Sequence, residues 1–400
     1  MPSITLKKNR VRPIACGHPW IFSGAIYKSE GLDDQCDQVL VKGPGGEVMG
    51  HGFYSPKSEI RVRLYERTDR TELEPIDVAF FKKRIEGAVD RRARLGLPGE
   101  KTTGFRLINS EGDGLPGVTV DKWGDLVVFQ LTTRAPAKHG EQFARALAEV
   151  FGQGTAIFQA EAPRAMADRE GIPVESGWHG DQKPEYVEFL ENGLTFQVHT
   201  EDFQKTGHYA DMRLHRRWFA EHCRGRRVLD AYSYTGAFGL LAALEGAQAV
   251  TCVDSSAPAL ERLAKNAELN GIAHRVEAVE SKVDDFLRSA YDRELKFDAI
   301  VLDPPKLAPR KKHVKKALKL YRSLTLQALR LLEPGGIIAL GSCSEAIGPD
   351  ELERVFANCC ARDELSIDTI YRGTQSPDHP VPSAMPEGRY LSFIAAQKRL

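Results

Sequence analysis

Residues 228–239 read VLDAYSYTGAFG, an apolar run that ends in an aspartate and continues through a turn with Gly236 into a small-residue segment. A strand, a glycine turn and a helix in this order open a doubly wound α/β domain. The helix N-terminus presents free N–H groups, and small residues let the backbone approach a ligand closely. The stretch is not G-x-G-x-x-G, which argues against a plain dinucleotide site.

From the strand before this turn to the C-terminal part of the chain, strands and helices alternate regularly. Apolar runs predict strands at 227–231, 250–254, 275–279, 297–302, 336–340, 366–371 and 390–395. Helical stretches separate the first six runs, which indicates a parallel, doubly wound sheet. A proline-rich segment without room for a crossover helix joins the last two runs, so we expect an antiparallel edge pair.

The pattern of apolar runs and turns changes along the chain, and these changes predict three domains. Residues 1–72 alternate short apolar runs with Gly/Pro turns, which indicates a small β-rich domain. Residues 73–185 combine a helix at 75–95, a strand–turn–strand and a helix at 141–151, which is typical of an α+β domain. A hairpin with Asn-Gly at its turn then opens the third domain, residues 186–400.

The charge balance, the cysteine count and the lengths of the apolar runs limit the kinds of protein that the chain can be. The chain has 400 residues with 55 Lys+Arg and 55 Asp+Glu, so a nucleic-acid surface must come from local clustering of charge. Seven cysteines without a C-x-x-C pair favour neither a disulfide framework nor a zinc site. No apolar signal core and no run of about 18 apolar residues is present. We expect a cytoplasmic protein with free thiols, no metal and no membrane association.

Two acidic residues follow predicted strands, where ligands bind in an open α/β sheet. Asp254 ends the second strand about twenty residues after the glycine turn, a spacing suited to ribose hydroxyls. The alternative is that Asp254 or Ser255 caps the next helix. Asp303 ends the fourth strand, and the two prolines after it predict a rigid, extended loop.

The fifth strand ends in GSCS, where Ser342 and Ser344 flank Cys343. A thiol at the ligand-binding edge of a sheet is placed to act as a nucleophile. The helix expected to begin near Pro349 places a positive dipole end nearby. The alternative is a buried structural thiol, which is our interpretation of Cys252, Cys359 and Cys360.

Residues 305–322, PKLAPRKKHVKKALKLYR, contain eight Lys and Arg residues and no acidic residue. On a helix that starts near Lys311, the lysines at 312, 315, 316 and 319 share one face. Such a stripe binds phosphates, with an affinity that falls steeply with salt; the alternative is an ordinary solvated face. The residues predicted to bind RNA are Arg310, Lys311, Lys312, Lys315, Lys316 and Lys319.

In order, DAYSYTGAFG, Asp254, LDPPK and GSCS resemble class I S-adenosylmethionine-dependent RNA methyltransferases. The whole chain is similar to the large-subunit (23S) ribosomal RNA (cytosine-5) methyltransferases of the RlmI type. HPWIFSGAI and GFYSPKSEIRVR resemble that family's PUA domain, and DGLPGVTVDKWGD resembles its central domain. QKTGHYADMR, YSYTG, SCS and DHPV with PEGRYL resemble its catalytic domain. Each motif is weak alone, and the ordered set is specific.

The resemblance implies a Rossmann-like class I methyltransferase domain, an N-terminal β-barrel-like PUA module and a central α+β domain. It implies S-adenosylmethionine as the cofactor, held by Gln204, Lys205, Thr206, Gly207, Asp211, Asp230, Tyr232, Ser233, Tyr234, Thr235, Gly236, Asp254, Ser281 and Asp303. After the third strand, many such enzymes carry an aspartate for the adenine amino group. Ser281 and Lys282 stand there in this chain, so Ser281, Glu280 and the backbone remain alternatives.

The resemblance also implies methylation of a cytidine at carbon 5, with Cys343 as the covalent nucleophile and Asp303 on the base. We expect Lys306 to contact a phosphate or the base carbonyl. It stands where many amine methyltransferases carry a stacking aromatic, and because a lysine cannot stack on a base, this disfavours amine methylation. His379 and Glu387 are candidates for the base that removes the carbon 5 proton. The rival hypotheses are an RNA amine methyltransferase and a non-catalytic RNA-binding assembly factor. Large-subunit ribosomal RNA is the expected partner, and the sequence leaves homodimer formation open.

Overall fold

The computed structural model describes residues 1–200, 206–363 and 366–399. The chain forms two compact units built from non-contiguous segments. The first unit comprises Met1–Phe189, Val198–Ala210 and Pro377–Gly388, and the second comprises Leu190–Gln197, Asp211–Ser376 and Arg389–Leu400. The division into three domains at 1–72, 73–185 and 186–400 stays a prediction. No helix among the described residues has the length and apolar character needed to cross a membrane.

The N-terminal part of the first unit is a six-stranded sheet, as the alternation of apolar runs and turns predicts. Its order is β2-β6-β5-β4-β1-β3, and only β1 and β4 are parallel. Ile4, Val39, Val41 and Val62 lie in its buried core. The strands are β1 Ser3–Leu6, β2 Trp20–Phe22, β3 Ile26–Glu30, β4 Gln38–Lys42, β5 Val48–Tyr54 and β6 Ile60–Glu66; a short helix, α1 Val11–Ala15, follows β1.

The first unit also holds a five-stranded sheet in the order β11-β10-β9-β8-β7, which confirms the α+β expectation. Its strands are β7 Gly104–Asn109, β8 Val118–Trp123, β9 Leu126–Leu131, β10 Ala156–Ala160 and β11 Gly177–His179. The helices are α2 Val78–Arg94, α3 Arg134–Lys138, α4 Gly140–Phe151 and α5 Arg164–Glu170. Helix α2 begins later than predicted because Asp77 caps it, accepting from the N–H of Phe80 at 2.9 Å.

The predicted hairpin is present as β12 Tyr186–Glu191 and β13 Leu194–His199. Asn192 and Gly193 at its turn have φ of 53° and 88°. Positive φ at both central residues is the requirement of a type I′ turn, which explains the Asn-Gly pair.

The second unit is built on a seven-stranded sheet in the order β16-β15-β14-β17-β18-β20-β19. Strands β14 to β18 are parallel, and β20 pairs antiparallel with both β18 and β19, as expected for the last two runs. The strands are β14 Arg227–Ala231, β15 Ala249–Asp254, β16 Val276–Glu280, β17 Phe297–Leu302, β18 Leu332–Ser342, β19 Ile367–Gly373 and β20 Ser392–Lys398. The helices are α6 Arg213–Glu221, α7 Ala237–Leu244, α8 Ala257–Leu269, α9 Val283–Asp292, α10 Val314–Leu331 and α11 Pro349–Asp363.

Strand order reverses at β14, which lies between β15 and β17. Ligands of open α/β sheets bind at such a reversal, beyond the carboxyl ends of the strands. Leu229, Ile300 and Leu340 on three adjacent strands are fully buried and fix these strands in the core. The residues after β14, β15, β17 and β18 therefore share one edge of the sheet.

Candidate cofactor and catalytic site

The turn after β14 has an unusual backbone. Tyr232 and Tyr234 have φ of 66° and 49°, in the left-handed region that non-glycine residues rarely occupy, and Gly236 has φ of 88°. The N–H groups of Tyr232 and Ser233 donate to the carbonyl of Val253 at 2.9 and 3.1 Å. Backbone strain of this kind persists where surrounding bonds enforce it, and it is concentrated at ligand sites.

Asp254 holds this turn from the end of β15. Its Oδ2 accepts from the N–H of Tyr234 and its Oδ1 from the N–H of Ser256, both at 2.9 Å. The cap of α8 is Ser256, so the alternative that Asp254 or Ser255 caps this helix is wrong. A carboxylate has about four acceptor positions. The two N–H groups leave acceptor capacity for ribose hydroxyls.

Ser233 and Thr235 lie in the same turn and are buried. The hydroxyl of Ser233 has no hydrogen-bond partner within the part of the chain that the structure describes. Buried hydroxyls are nearly always hydrogen-bonded to protein, water or a ligand, so the Ser233 hydroxyl has capacity for a bond to a bound molecule. The turn therefore fits a nucleoside-bearing cofactor.

Asp230 lies beneath the turn, at the end of β14. Its Oδ2 accepts from the N–H of Gly239 in α7 at 2.8 Å, and Oδ1 has no partner among the described residues. Burial raises the pKa of Asp230 to about 7. These contacts give Asp230 a role in anchoring α7, while direct contact with a cofactor stays a prediction.

Ser281 follows β16, next to Asp254. Its N–H donates to the carbonyl of Asp254 at 2.9 Å, and its hydroxyl donates to the carbonyl of Lys282 at 3.1 Å. A hydroxyl that donates elsewhere keeps lone pairs that accept from an amino group. The structure is thus compatible with an adenine contact at Ser281, which remains a prediction.

The described residues of the segment predicted to hold the methionine end of the cofactor are divided between the two units. Gln204 and Lys205 lie outside the described residues. Thr206 and Gly207 belong to the first unit, where the Thr206 hydroxyl donates to Asp121 Oδ2 at 2.5 Å. Asp211 belongs to the second unit.

Asp211 is held by two residues from the C-terminal part of the chain. The Tyr390 hydroxyl donates to its Oδ2 at 2.7 Å, and the N–H and hydroxyl of Ser376 donate to its carbonyl, both at 2.9 Å. Sequence reasoning missed Tyr390 and Ser376, because their distance from Asp211 along the chain hides the contact. The Tyr390 bond orients the carboxylate, and the two Ser376 bonds hold the backbone of Asp211.

The candidate catalytic residues follow β17 and β18. Leu302 pairs with Leu340 across the two strands, which places Asp303 beside Gly341. A Cβ at Gly341 would lie 2.3 Å from Asp303 Oδ1, so only glycine permits this approach. The carboxylate therefore lies against β18 two residues before Cys343.

Cys343 is partly exposed, whereas Cys223, Cys252 and Cys359 are buried. Burial raises the pKa of the Cys223 and Cys252 thiols, which makes them poor nucleophiles. Cys360, expected to be buried, is partly exposed because it lies on the less buried side of α11. That helix begins at Pro349, as predicted.

The serines beside Cys343 are buried and hydrogen-bonded. The hydroxyl of Ser342 accepts from the N–H of Ser344 at 3.3 Å, and the hydroxyl of Ser344 accepts from the N–H of Ala308 at 3.2 Å. Tyr321, a buried residue that sequence reasoning missed, donates to the carbonyl of Gly341 at 2.9 Å. Its position on the apolar face of α10 signals burial but not this bond.

The basic stretch is exposed, and one prediction about it is wrong. Helix α10 begins at Val314 rather than near Lys311, because Lys311–His313 forms a separate 3-10 turn. Lys315, Lys316 and Lys319 lie on α10, whereas Arg310, Lys311 and Lys312 precede it; all six are exposed, as is Lys306. Their contact with RNA stays a prediction.

The two candidates for the base that removes the carbon 5 proton belong to the first unit. His379 is buried, with Nδ1 3.5 Å from Asp378 Oδ1. Glu387 lies 3.3 Å from His18 Nε2. The role of either residue as the base stays a prediction. Among the described residues, no group of three or more His, Cys, Asp or Glu side chains is arranged to hold a metal ion.

Comparison with known proteins gives concordant matches. A family described as S-adenosylmethionine-dependent methyltransferase matches residues 132–388, and a PUA-like domain matches residues 4–67. Ribosomal RNA large subunit methyltransferase I of Shewanella denitrificans is 36% identical over 396 residues, covering 98% of each chain. The protein of the same name from Klebsiella pneumoniae (strain 342) is 33% identical, covering 99% of this chain and 98% of its own.

Two solved structures share the fold along nearly the whole chain. A putative methyltransferase from Streptococcus mutans has a TM-score of 0.81 at 22% identity, covering 99% of this chain and 100% of that one. A putative methyltransferase complexed with SAH has a TM-score of 0.83 at 23% identity, with the same coverage.

Proposed function

The chain belongs to the S-adenosylmethionine-dependent ribosomal RNA large subunit methyltransferase I family, and we propose that it methylates carbon 5 of a cytidine in 23S ribosomal RNA through a covalent adduct with Cys343. The observation that carries this proposal is the placement of Cys343. It is a partly exposed thiol directly after β18, two residues from the glycine against which Asp303 lies. Covalent catalysis on a pyrimidine needs such a thiol on a rigid support.

The residues around the glycine turn fit the cofactor. Asp254 has free acceptor capacity for the ribose, and the unpartnered hydroxyl of Ser233 lies in the adjacent turn. We assign the ammonium group of the methionine end to Asp211, whose carboxylate accepts a hydrogen bond from Tyr390. When bound, S-adenosylmethionine supplies an electrophilic methyl on a sulfonium sulfur.

Cys343 makes the base reactive. The Cys343 thiolate adds to carbon 6 of cytosine, and the electron pair of the 5,6 double bond makes carbon 5 nucleophilic. Asp303 accepts a hydrogen bond from the exocyclic amino group, which orients the ring. Once carbon 5 carries the methyl, a base removes its proton, the double bond re-forms and the bond from Cys343 to carbon 6 breaks. The thiolate is thereby regenerated.

The basic stripe binds the RNA backbone. Lys315, Lys316 and Lys319 project from α10, and Lys306 lies on the loop that begins with Asp303. Phosphate contacts of this kind position RNA without reading its sequence. The target cytidine leaves its stack to reach Cys343, which costs a few kcal/mol unless the RNA is already open there.

Methyl transfer to deproteinised large-subunit ribosomal RNA, with nucleoside mass analysis, tests the proposal. Wild type is compared with Cys343→Ala and with Cys360→Ala, which removes another partly exposed thiol. We expect 5-methylcytidine from wild type and Cys360→Ala and none from Cys343→Ala. A methylated amine made equally by all three proteins would instead assign the chemistry to the Asp303 loop without covalent catalysis.

A further inference from the structure

We propose that Ser344 is a positioning residue that fixes the Asp303–Ala308 loop against the strand end carrying Cys343. The inference rests on the proposed function, because it concerns the two groups that act on the base. Ser344 itself touches neither the base nor the cofactor in this account. It acts through the loop that its hydroxyl holds.

The tether is a buried hydrogen bond between segments far apart in sequence. The hydroxyl of Ser344 accepts from the N–H of Ala308 at 3.2 Å, and both residues are at most 2% exposed. A buried bond of this kind is costly to break, since the remaining donor is left without water. The bond therefore fixes Ala308, at the end of the loop, to Ser344.

Hydrogen bonds also hold the backbone of Ser344 on both sides of its side chain. Its own N–H donates to the hydroxyl of Ser342 at 3.3 Å, and its carbonyl accepts from the N–H of Ile347 at 2.8 Å. Tyr321 holds the carbonyl of Gly341 one residue further back. These bonds give the segment from 341 to 344 one conformation, with Cys343 between the two serines.

The loop needs an attachment at this end. At its start, the N–H of Asp303 donates to the carbonyl of Ala231 at 3.3 Å. The next two residues are prolines, which have no N–H to hold the loop to a neighbour. The bond from Ala308 to Ser344 closes the far end, so Asp303 and Lys306 lie in a segment attached at both sides.

The attachment of the loop at both ends keeps Asp303 at a constant distance from Cys343. Asp303 must orient the base while Cys343 is bonded to carbon 6, so the separation of the two groups has to stay constant through the reaction. A displacement of about 1 Å away from the chemistry can cost on the order of 100-fold in rate. Loss of the Ser344 hydroxyl should lower kcat without changing cofactor binding at the turn after β14.

The experiment compares Ser344→Thr, which keeps the hydroxyl, with Ser344→Val, which has the shape of threonine and lacks the hydroxyl. Ser289→Val on the exposed face of α9 is the control for the same chemical change. Three quantities are measured: the hydrogen-exchange rate of the Ala308 amide, kcat for 5-methylcytidine formation, and KM for S-adenosylmethionine. The thermal midpoint is recorded for each variant.

We expect Ser344→Val to speed exchange of the Ala308 amide by at least about 10-fold, since the amide loses its acceptor. We expect its kcat to fall roughly 10- to 100-fold with KM for S-adenosylmethionine within twofold of wild type. Ser344→Thr should restore both quantities, and Ser289→Val should resemble wild type. If the thermal midpoint falls equally in the Thr and Val variants, the loss of stability comes from the methyl group that both variants add and not from the loss of the hydroxyl.

Several results would overturn the inference. Equal losses of kcat in the Thr and Val variants would indicate packing rather than hydrogen bonding. Faster Ala308 exchange with unchanged kcat would show a tether without a positioning role, and unchanged exchange would show that no tether exists. If wild type makes no 5-methylcytidine, the proposed function fails and the positioning role falls with it, whereas Ala308 exchange still decides whether the tether exists.

Discussion

Asp230 shows how a single buried carboxyl links the fold to pH. Burial raises its pKa to about 7, well above the value of about 3.9 expected in the unfolded chain. Between these two values the folded protein binds more protons than the unfolded one, so the contribution of Asp230 to stability declines as pH rises. The contribution is fully present below about pH 4 and lost above about pH 7.

Asp230→Asn should remove this dependence while keeping an oxygen that accepts from Gly239. We expect the stability difference between variant and wild type to grow in the variant's favour from pH 5 to pH 8, by at most about 3 kcal/mol, because about two pH units separate pH 5 from the pKa of about 7. Urea unfolding of both proteins at the two pH values measures it. A difference that does not change with pH would contradict a raised pKa at Asp230.

Tyr390 shows how a residue distant in sequence can support the cofactor. Its hydroxyl donates to Asp211 at 2.7 Å, so Tyr390→Phe removes one bond and keeps the ring. We expect the Kd for S-adenosylmethionine, measured by calorimetry, to rise about 3- to 10-fold, the equivalent of one ordinary hydrogen bond. Tyr27→Phe, which alters an exposed tyrosine, serves as the control. An unchanged Kd in Tyr390→Phe would contradict a role of the Tyr390 hydroxyl in cofactor binding through Asp211.

At the scale of elements, the sequence predicts buried strands best. Strands β14 and β17 and the second half of β18 lie in the middle of the sheet and are buried on both faces, so each appears as a continuous apolar run, whereas the edge strand β16 is mostly exposed. Asp254, Asp303 and Cys343 stand at or directly after the ends of β15, β17 and β18, as the ends of the apolar runs predict, while their roles in the site stay predictions. The start of β18 was missed, because Pro334 and Gly335 resemble a turn although the strand begins at Leu332.

Helix starts are less predictable, since several residues compete for the same role. The segment Asp254-Ser255-Ser256 offers three capping residues, and only the structure shows that Ser256 caps α8. The lysine run suggested a helix from Lys311, but the first three residues form a 3-10 turn. The periodicity of apolar residues shows which side chains share a helix face, but it does not show at which residue the first helical hydrogen bond forms.

The exposed stripe on α10 gives a prediction at this scale. Replacing Lys315 and Lys319 together with alanine should weaken RNA binding and reduce the slope of log Kd against log salt by about 0.7 for each phosphate that is no longer neutralised. Kd values measured over a series of KCl concentrations test this. Lys265→Ala on α8 is the matched control, because Lys265 is an exposed lysine outside the stripe. Equal slopes in all proteins would make the stripe an ordinary solvated face.

At the scale of the molecule, the two units are assembled from segments distant in sequence. Pro377–Gly388 follows β19 in the chain but belongs to the first unit. Arg92 explains part of this: its guanidinium contacts Asp113 at 2.6 Å and donates to the carbonyl of Asp378 at 2.7 Å. The proline-rich composition of this segment marks it as a connection between strands but does not indicate which unit it packs against, so the sequence could not reveal the assignment.

Asp113→Ala should strongly destabilise the first unit. It leaves the guanidinium of Arg92, which is 1% exposed, without its carboxylate partner. Breaking a buried ion pair from one side typically costs about 3–5 kcal/mol. Denaturant unfolding measures the loss, with Asp90→Ala on the exposed side of α2 as the control. A loss below about 1 kcal/mol would show that the pair is unimportant for stability.

The covalent role of Cys343 can be tested most directly by trapping. Ribosomal RNA containing 5-fluorocytidine, incubated with the enzyme and S-adenosylmethionine, places fluorine where the departing proton would be, so the base cannot be released after methylation. We expect a stable protein–RNA adduct, and peptide mass spectrometry should locate the modified nucleotide on Cys343. Methylation of the unsubstituted RNA without any trapped adduct, or an adduct on another residue, would contradict the account.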